Sequence, residues 1–336
     1  MVTGKSTILD VARIAGVSTA TVSRALAHPD RVQQATRDRV MSAVRKTGYR
    51  VNPVARNLRT QRTNVILVLA PNLANTFFSR ILSAVTEVAA SHGFGVLIAD
   101  SAPLGDHDLD VMDLSGDGRA DGIILLDGAL DPLRVTNTDL PLVMACEWIE
   151  DSTLPTIAID NVQGARLAVE HLSALNHHRI AHIAGPVGNV LSTARHDGWR
   201  SAMQALDHRI EQNDYFAGDF TLGSGVSAAR QWLAQPADQR ATAVFCASDE
   251  CAMGFIGHVT RQGLRVPDDV SVVGFDDIDL SEHFLPSLTT IHQPRRRMGA
   301  RAAETVIRLI RHENTAGADA APLPVELVVR GSTARR

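Results

Sequence analysis

Residues 7–26 read TILDVARIAGVSTATVSRAL. Ile8, Val11, Ala12 and Ala15 recur at helical spacing behind Thr7, a good N-cap, and Asp10 follows three residues on, near the positive end of the helix. Gly16 tolerates the positive φ that a tight turn needs. Val17 then points inward, and Ser18 caps a second helix from Thr19 to Leu26. The pattern predicts two short helices about a small-residue turn, the helix-turn-helix of DNA readers. The alternative is an ordinary helical hairpin in a larger core. On the DNA reading Val22 and Leu26 face the core, and Thr19, Ala20 and Thr21 meet base edges. Ser18, Ser23 and Arg24 hold phosphates, and Thr7 is counted with them.

The next stretches favour the DNA reading. Val32 to Tyr49 is a third helical pattern with Val40, Ala43, Val44 and Thr47 on one face, weakly capped because Gln33 stands where Ser or Asp would serve better. Asn52-Pro53-Val54-Ala55-Arg56-Asn57-Leu58-Arg59 follows, with Asn52 able to cap and Pro53 suited to the first helical position. A single Leu58 on so short a helix has no obvious core, and a wedge into the minor groove would use it. The alternative is a linker turn whose Leu packs on the next domain.

GVSTATVSRAL, then Gly48-Tyr49, Asn52 and Ala55-Arg56-Asn57-Leu58, resemble the lactose-repressor (LacI/GalR) family of bacterial regulators. The resemblance runs nearly the whole chain, to Val328-Val329-Arg330-Gly331-Ser332-Thr333. It implies an all-α helix-turn-helix headpiece, a hinge helix, and an α/β core of two doubly wound parallel-sheet lobes, like a periplasmic binding protein. Val51 departs from the family's usual Pro before the hinge, and Pro53 is the candidate substitute. The expected divisions are a headpiece at 1–50, a hinge and linker at 51–63, and a core at 64–336. Lobe 1 is placed at about 64–160 and 292–320, and lobe 2 at about 161–291 and 321–336.

The charge distribution agrees. Residues 1–63 hold 12 Lys/Arg against 3 Asp/Glu, a net of +9, and the remainder 21 against 34, a net of −13. A basic head on an acidic body suits phosphate binding by the head alone. No secretory signal is expected from MVTGKS, and no apolar run approaches the ~20 residues of a membrane span. Cys146, Cys246 and Cys251 have no metal spacing and are expected as reduced thiols in a cytosolic, nucleoid-associated protein. His177-His178 and His182 raise the question of a metal, but a solvated loop is the expected reading; no metal or cofactor is predicted.

After the linker, apolar runs alternate with amphipathic stretches, the pattern of buried parallel strands and helices. The runs are followed by Pro71-Asn72, Asp100, Asp127, Glu147, Asp160-Asn161, Gly185-Pro186, Ser248-Asp249 and Asp276-Asp277. Ligands of open α/β sheets bind outside the carboxyl ends of the strands, and this rim suits a ligand with many hydroxyls. Helix capping is the alternative for Asp160 and Asp249. The resemblance implies effector contacts at Phe78, Phe220, Arg195 and Asp276, with Asp160 and Ser248 as further candidates. Core packing is the alternative for each Phe. Asn189 and Leu191 replace the base-reading polar pair of purine-responsive members, so a nucleoside such as cytidine, acting as inducer, is expected rather than a purine base; a sugar stays open.

The implied protein is a homodimeric repressor that binds double-stranded operator DNA and a small effector. A solute-binding protein would lack the basic headpiece. An enzyme is not expected: neither GxGxxG nor GxxxxGK[ST] occurs, and spacing names no Ser-His-Asp set. If Leu58 is a groove wedge, Leu58→Ala should weaken specific operator binding while sparing non-specific, salt-sensitive binding in DNA titrations. Equal loss of both would exclude the wedge.

Overall fold

The computed structural model describes residues 6–49, 62–101, 118–129, 138–313 and 321–336. By internal packing the chain divides into Met1–Thr63 and Asn64–Arg336. The hinge candidates Asn52, Ala55 and Leu58 lie outside the described residues.

In the first unit, helices α1 (Ile8–Ala15), α2 (Thr19–Ala27) and α3 (Gln34–Thr47) enclose Val11, Ala12, Ala15, Val22, Ala25, Val40 and Ala43. Helix α2 turns Ala25 into this core, and the expected core residue Leu26 is only half-buried. A 3-10 turn, Pro29–Arg31, precedes α3, so that helix starts later than the periodicity implied, and Gln33 gives it no side-chain cap. The Ser6 hydroxyl donates to the Thr47 carbonyl at 2.6 Å and ties the two ends of the bundle together.

The second unit carries two sheets, so the expected pair of parallel-sheet lobes is present. In lobe 1, β1 (Val65–Ala70), β2 (Gly95–Asp100), β3 (Gly122–Leu125), β4 (Leu142–Ala145) and β5 (Thr156–Ile157) are all parallel in the order β2-β1-β3-β4-β5. Both faces of β1 are buried: Ile66, Val68 and Ala70 join one core cluster, and Leu67 and Leu69 the other. That is why the strand reads as a continuous apolar run. Helix α4 (Ser79–Ser91) opens after a 3-10 turn, Thr76–Phe78.

Lobe 2 has the strand order β11-β10-β9-β8-β6-β7, built from β6 (Ile180–Ile183), β7 (Tyr215–Phe216), β8 (Ala243–Cys246), β9 (Ser271–Asp276), β10 (Thr289–His292) and β11 (Glu326–Val328). Only β11 among them runs antiparallel to its neighbour. Helices α5 (Asn161–Ala174) and α6 (Val190–Ala205) pack together, as do α7 (Leu222–Ala234) and α8 (Asp249–Arg261). The α7–α8 approach needs Gly225 and Gly254, because a Cβ on either would collide with the facing carbonyl of Cys251 or Leu222. A short helix α9 (Leu280–His283) follows β9.

Helix α10 (Arg295–Ile310) returns to lobe 1, packing on α4, β3, β4 and β5, while β11 pairs with β10 in lobe 2. The chain therefore passes between lobes near residues 160, 293 and 323. Two of these passages are joined where Leu323 N–H donates to the Ala158 carbonyl at 2.8 Å.

The solvated-loop reading holds for the exposed His178 but not for His177 or His182. His177 is buried, its ring nitrogens bonded to the Thr242 hydroxyl at 2.8 Å and the Ala334 carbonyl at 3.0 Å. His182 is fully buried on β6, stacked between Trp199 and Phe245 at centroid distances of 5.4 and 5.0 Å. Its Nδ1 meets the Phe245 carbonyl at 3.1 Å, and its Nε2 has no hydrogen-bond partner among the described residues. All three cysteines are free and buried. Among the described residues no group of side chains is arranged to hold a metal, and no helix is long and apolar enough to cross a membrane.

Burial lowers the His182 pKa from 6.5 to about 3. The fold disfavours protonation, so the stability this neutral ring contributes is complete above pH 6.5 and is lost as pH falls from there toward 3. Between pH 7 and pH 5, the native protein should lose ~2 kcal/mol that a His182→Leu variant does not lose. Urea unfolding of both at the two pH values checks this; identical pH dependence would contradict it.

Candidate functional site

Two places carry function-bearing side chains. The first is the N-terminal end of α2. Thr7 and Asp10 form a reciprocal turn at the head of α1, with the Asp10 carboxylate accepting from the Thr7 N–H at 3.0 Å and the Thr7 hydroxyl at 2.8 Å. The Thr7 backbone bond is the largest cause holding the Asp10 carboxyl below its usual range. Gly16 ends α1 at φ 64°, and the Ser18 hydroxyl then accepts from Thr21 N–H at 3.1 Å to cap α2. Ser18, Ala20 and Arg24 are exposed, and Thr19, Thr21 and Ser23 half-buried. The first turn of α2 therefore presents small polar side chains on a helix end whose orientation is fixed by its cap.

The second place is the carboxyl end of the lobe 2 sheet and the lobe 1 loops against it. Arg195, in the second turn of α6, is buried at 2 % exposure. Its Nε donates to Asn161 Oδ1 at 2.9 Å, its Nη1 donates to the Ala247 carbonyl, and Nη1 lies 3.7 Å from Asp276 Oδ1. Its guanidinium carbon sits 3.8 Å from the ring centre of Phe275 and 5.5 Å from that of Phe220. Burial pushes the Arg195 pKa down, and Asp276 and Glu147 oppose that shift. Asp276 also accepts from Gln293 Nε2 at 2.6 Å; burial raises its carboxyl to about 6 against the pull of Arg195 and Arg295.

These residues stand on unusual backbone. Asp276 has φ 119°, Asp277 φ 53°, Phe220 φ 68° and Cys146 φ 70°. Such conformations cost of order 1–3 kcal/mol each and concentrate at binding sites. Ser248 supports Phe220 by donating to its carbonyl at 2.8 Å, and caps α8 by accepting from Cys251 N–H at 3.1 Å.

Of the six expected effector residues, Arg195, Asp276, Phe220 and Ser248 are drawn together in lobe 2. Phe78 stands on lobe 1, buried edge-to-face on Phe77 at 5.1 Å. Asp160 is exposed and caps α5 by accepting from Gln163 N–H at 2.8 Å. Asp249, the other capping alternative, caps nothing. It is fully buried and accepts from Thr290 at 2.5 Å, Ser281 at 2.6 Å and Ile278 N–H at 2.9 Å, with burial raising its carboxyl to about 7.

Four residues beyond the expected set complete the cleft. Glu147, on the loop after β4, accepts from Gly128 N–H at 2.9 Å and from Asn189 Nδ2, across the cleft on lobe 2, at 2.9 Å. Asp127 accepts from the Ser101 hydroxyl at 2.5 Å. Asn161 and Gln293 orient Arg195 and Asp276. Glu147, Asp127 and Asn161 were visible as strand-end polar residues; Gln293 carried no signal.

Further contacts bridge the lobes: Arg80 with Asp279 at 2.9 Å, the Thr76 hydroxyl with Glu250 at 3.0 Å, and Arg295 with the carbonyls of Phe77 at 3.2 Å and Asp277 at 2.7 Å. A small terminal unit with a presented helix end thus accompanies a two-lobed core whose cleft is rich in hydrogen-bonding groups. Residues 7–52 match the model of bacterial regulatory proteins of the lacI family, and residues 169–333 that of a periplasmic binding protein-like domain. The chain is 40% identical over 331 residues to the HTH-type transcriptional repressor CytR of Escherichia coli (strain K12), covering 98% of this chain and 96% of that one. The chain belongs to the lacI family.

Solved structures agree. The lac repressor dimer bound to operator and the anti-inducer ONPF superposes with a TM-score of 0.85 at 30% identity, covering 98% of this chain and 100% of that one. The transcriptional regulator CelR in complex with cellobiose gives 0.71 at 31% identity, covering 97% and 99%. This lacI-family chain is a DNA-binding transcriptional repressor with an effector-binding core.

Removing Arg195 takes away the stronger of the two cationic influences on the buried Asp276, leaving it Arg295 and the Gln293 amide. Arg195→Met should destabilise the core by ~3–5 kcal/mol at pH 7. Adding Asp276→Asn should recover part of that loss, and acidification to pH 5 should shrink the single-variant penalty, because Asp276 takes up a proton more readily in the fold than in the unfolded chain. Chemical unfolding measures both; additive losses at both pH values would show the pair is not coupled.

Proposed function

We propose that this repressor acts as a homodimer on a near-palindromic operator in the cytosol, and that a nucleoside such as cytidine, bound between the lobes, is its inducer. The observation that carries the effector reading is the Asp276 carboxylate set beside the Arg195 guanidinium and the Phe220 ring. A carboxylate accepts from two vicinal sugar hydroxyls, the guanidinium donates to ligand oxygens, and the aromatic faces of Phe220 and Phe78 take a flat base. The 40% identity to a repressor named CytR supports the nucleoside class. A sugar is the second reading, favoured by the cellobiose complex of a 31% identical regulator.

On this reading Thr19, Ala20 and Thr21 meet bases, Ser18, Ser23 and Arg24 meet phosphates, Thr7 belongs to the same DNA-binding set, and Asn52, Ala55 and Leu58 belong to a hinge at 51–63. The domain limits remain 1–50, 51–63 and 64–336. The effector acts by preferring one interlobe angle, since a ligand that binds both angles equally shifts nothing. It enters a cleft where Glu147–Asn189 and Arg80–Asp279 already hold the lobes together, so binding exchanges those contacts for its own. Lobe 1 follows the hinge segment directly in sequence, and its rotation changes the spacing of the two hinges in a dimer.

Cytidine at 100 times its dissociation constant should stabilise the protein by ~2.7 kcal/mol in a thermal-shift assay. Asp276→Asn should weaken that binding by ~1.5–3 kcal/mol while leaving operator binding in place, giving a repressor that no longer responds. Loss of operator binding in a folded variant, or an unchanged ligand dissociation constant, would overturn the assignment of Asp276.

A further inference from the structure

Phosphorylated ligands in α/β folds are held by free helix N-termini, free loop amides and unspent cations. Among the described residues around this cleft, the helix ends carry side-chain caps, the loop amides below are bonded to carboxylates and the cations lie beside carboxylates. Asn75 Oδ1 accepts from Phe77 N–H at 2.8 Å, Asp160 from Gln163 N–H at 2.8 Å, Asn189 from Leu191 and Ser192 N–H at 2.9 and 3.1 Å, and Ser248 from Cys251 N–H at 3.1 Å. The helices that open after the strand ends are thus capped by the protein's own side chains.

The loop amides are taken by carboxylates. Asp100 accepts from Asn72 and Leu73 N–H at 3.1 and 3.0 Å, Asp127 from Ala129 N–H at 2.8 Å, and Glu147 from Gly128 N–H at 2.9 Å. The charges of the cations are balanced as well: Arg195 lies 3.7 Å from the Asp276 carboxylate and Arg295 3.4 Å from that of Asp279. Glu147, Asp127 and Asp276 then surround the space with negative charge, and Glu147 sits where it bridges the lobes through Asn189.

We propose that the cleft accepts its effector only in uncharged, non-phosphorylated form, and that Glu147, backed by Asp127, is the specificity-determining residue that excludes the phosphorylated derivative. The proposal rests on the reading of the cleft as the effector site and deepens it. Glu147 demands a hydrogen-bond donor from the ligand in place of the Asn189 amide. A phosphate there offers only acceptors, and meets the carboxylate with like charge in a partly desolvated space.

The test is isothermal titration calorimetry on the full chain at physiological salt with two matched pairs: cytidine with cytidine 5′-monophosphate, and ribose with ribose 5-phosphate. The neutral member should bind at least about 100-fold tighter, a gap of about 2.8 kcal/mol. Glu147→Gln should narrow it at least tenfold. Asp127→Asn should narrow it in the same direction and carries the test if the first variant does not fold. A phosphorylated member binding within about threefold of its neutral partner, or an unchanged gap in both folded variants, overturns the proposal. Binding of the ribose pair alone, with ribose preferred, overturns the nucleoside reading and supports this one. Failure of all four probes overturns both.

Discussion

The cleft is arranged around a cation that water cannot reach. Burying a guanidinium costs several kcal/mol unless its charge is compensated and its donors are bonded. Arg195 meets that demand with groups from four different segments: Asn161 at the head of α5, Ala247 after β8, Asp276 and Phe275 at the end of β9, and Phe220 before α7. The same need explains why Asp276 can persist as a buried carboxylate. One charge thus registers the strand ends of lobe 2 against one another.

The two lobes are joined by contacts of different kinds. Arg80–Asp279 is an exposed ion pair, worth little in salt. Glu147–Asn189 is largely buried, and burial raises the Glu147 pKa against the pull of the bonds from Gly128 and Asn189. Arg295, at the start of the helix that crosses between lobes, ties a lobe 1 carbonyl to a lobe 2 carbonyl. The exposed pair adjusts at little cost, whereas the buried contacts must be replaced one for one.

The fold was legible where its physics is local. Continuous apolar runs gave β1, β4 and β8 with their ends, and Thr7, Gly16 and Ser18 marked the headpiece turns. Strand β10 gave no apolar run because it reads Thr-Thr-Ile-His: its hydroxyls are buried but satisfied by Asp249 and Thr333, which no hydrophobic pattern reveals. Helix α6 begins at Val190 because Asn189 caps it. In the site, the strand-end rule located the acids but not their duties. Asp249 and Asp160 look alike in sequence, each beside a helix start, yet one is a buried junction and the other an exposed cap. Gln293 acts only because β10 runs beside β9 and brings it to Asp276, a pairing set by topology rather than by neighbouring sequence.

The three passages between lobes also set the order in which the molecule can be completed as it is synthesised. The strands of lobe 1 are all made by residue 157, but the helix that covers β3, β4 and β5 ends at residue 310. At roughly 5–20 residues per second, that cover arrives roughly 10–30 s after the last strand leaves the ribosome. During that interval an apolar sheet face lacks its native helix while the whole of α5 to β10 is being made. Lobe 2 in turn lacks β11 until the last residues emerge. Each nascent chain therefore carries an apolar sheet face without its native cover for the time it takes to make residues 158–310.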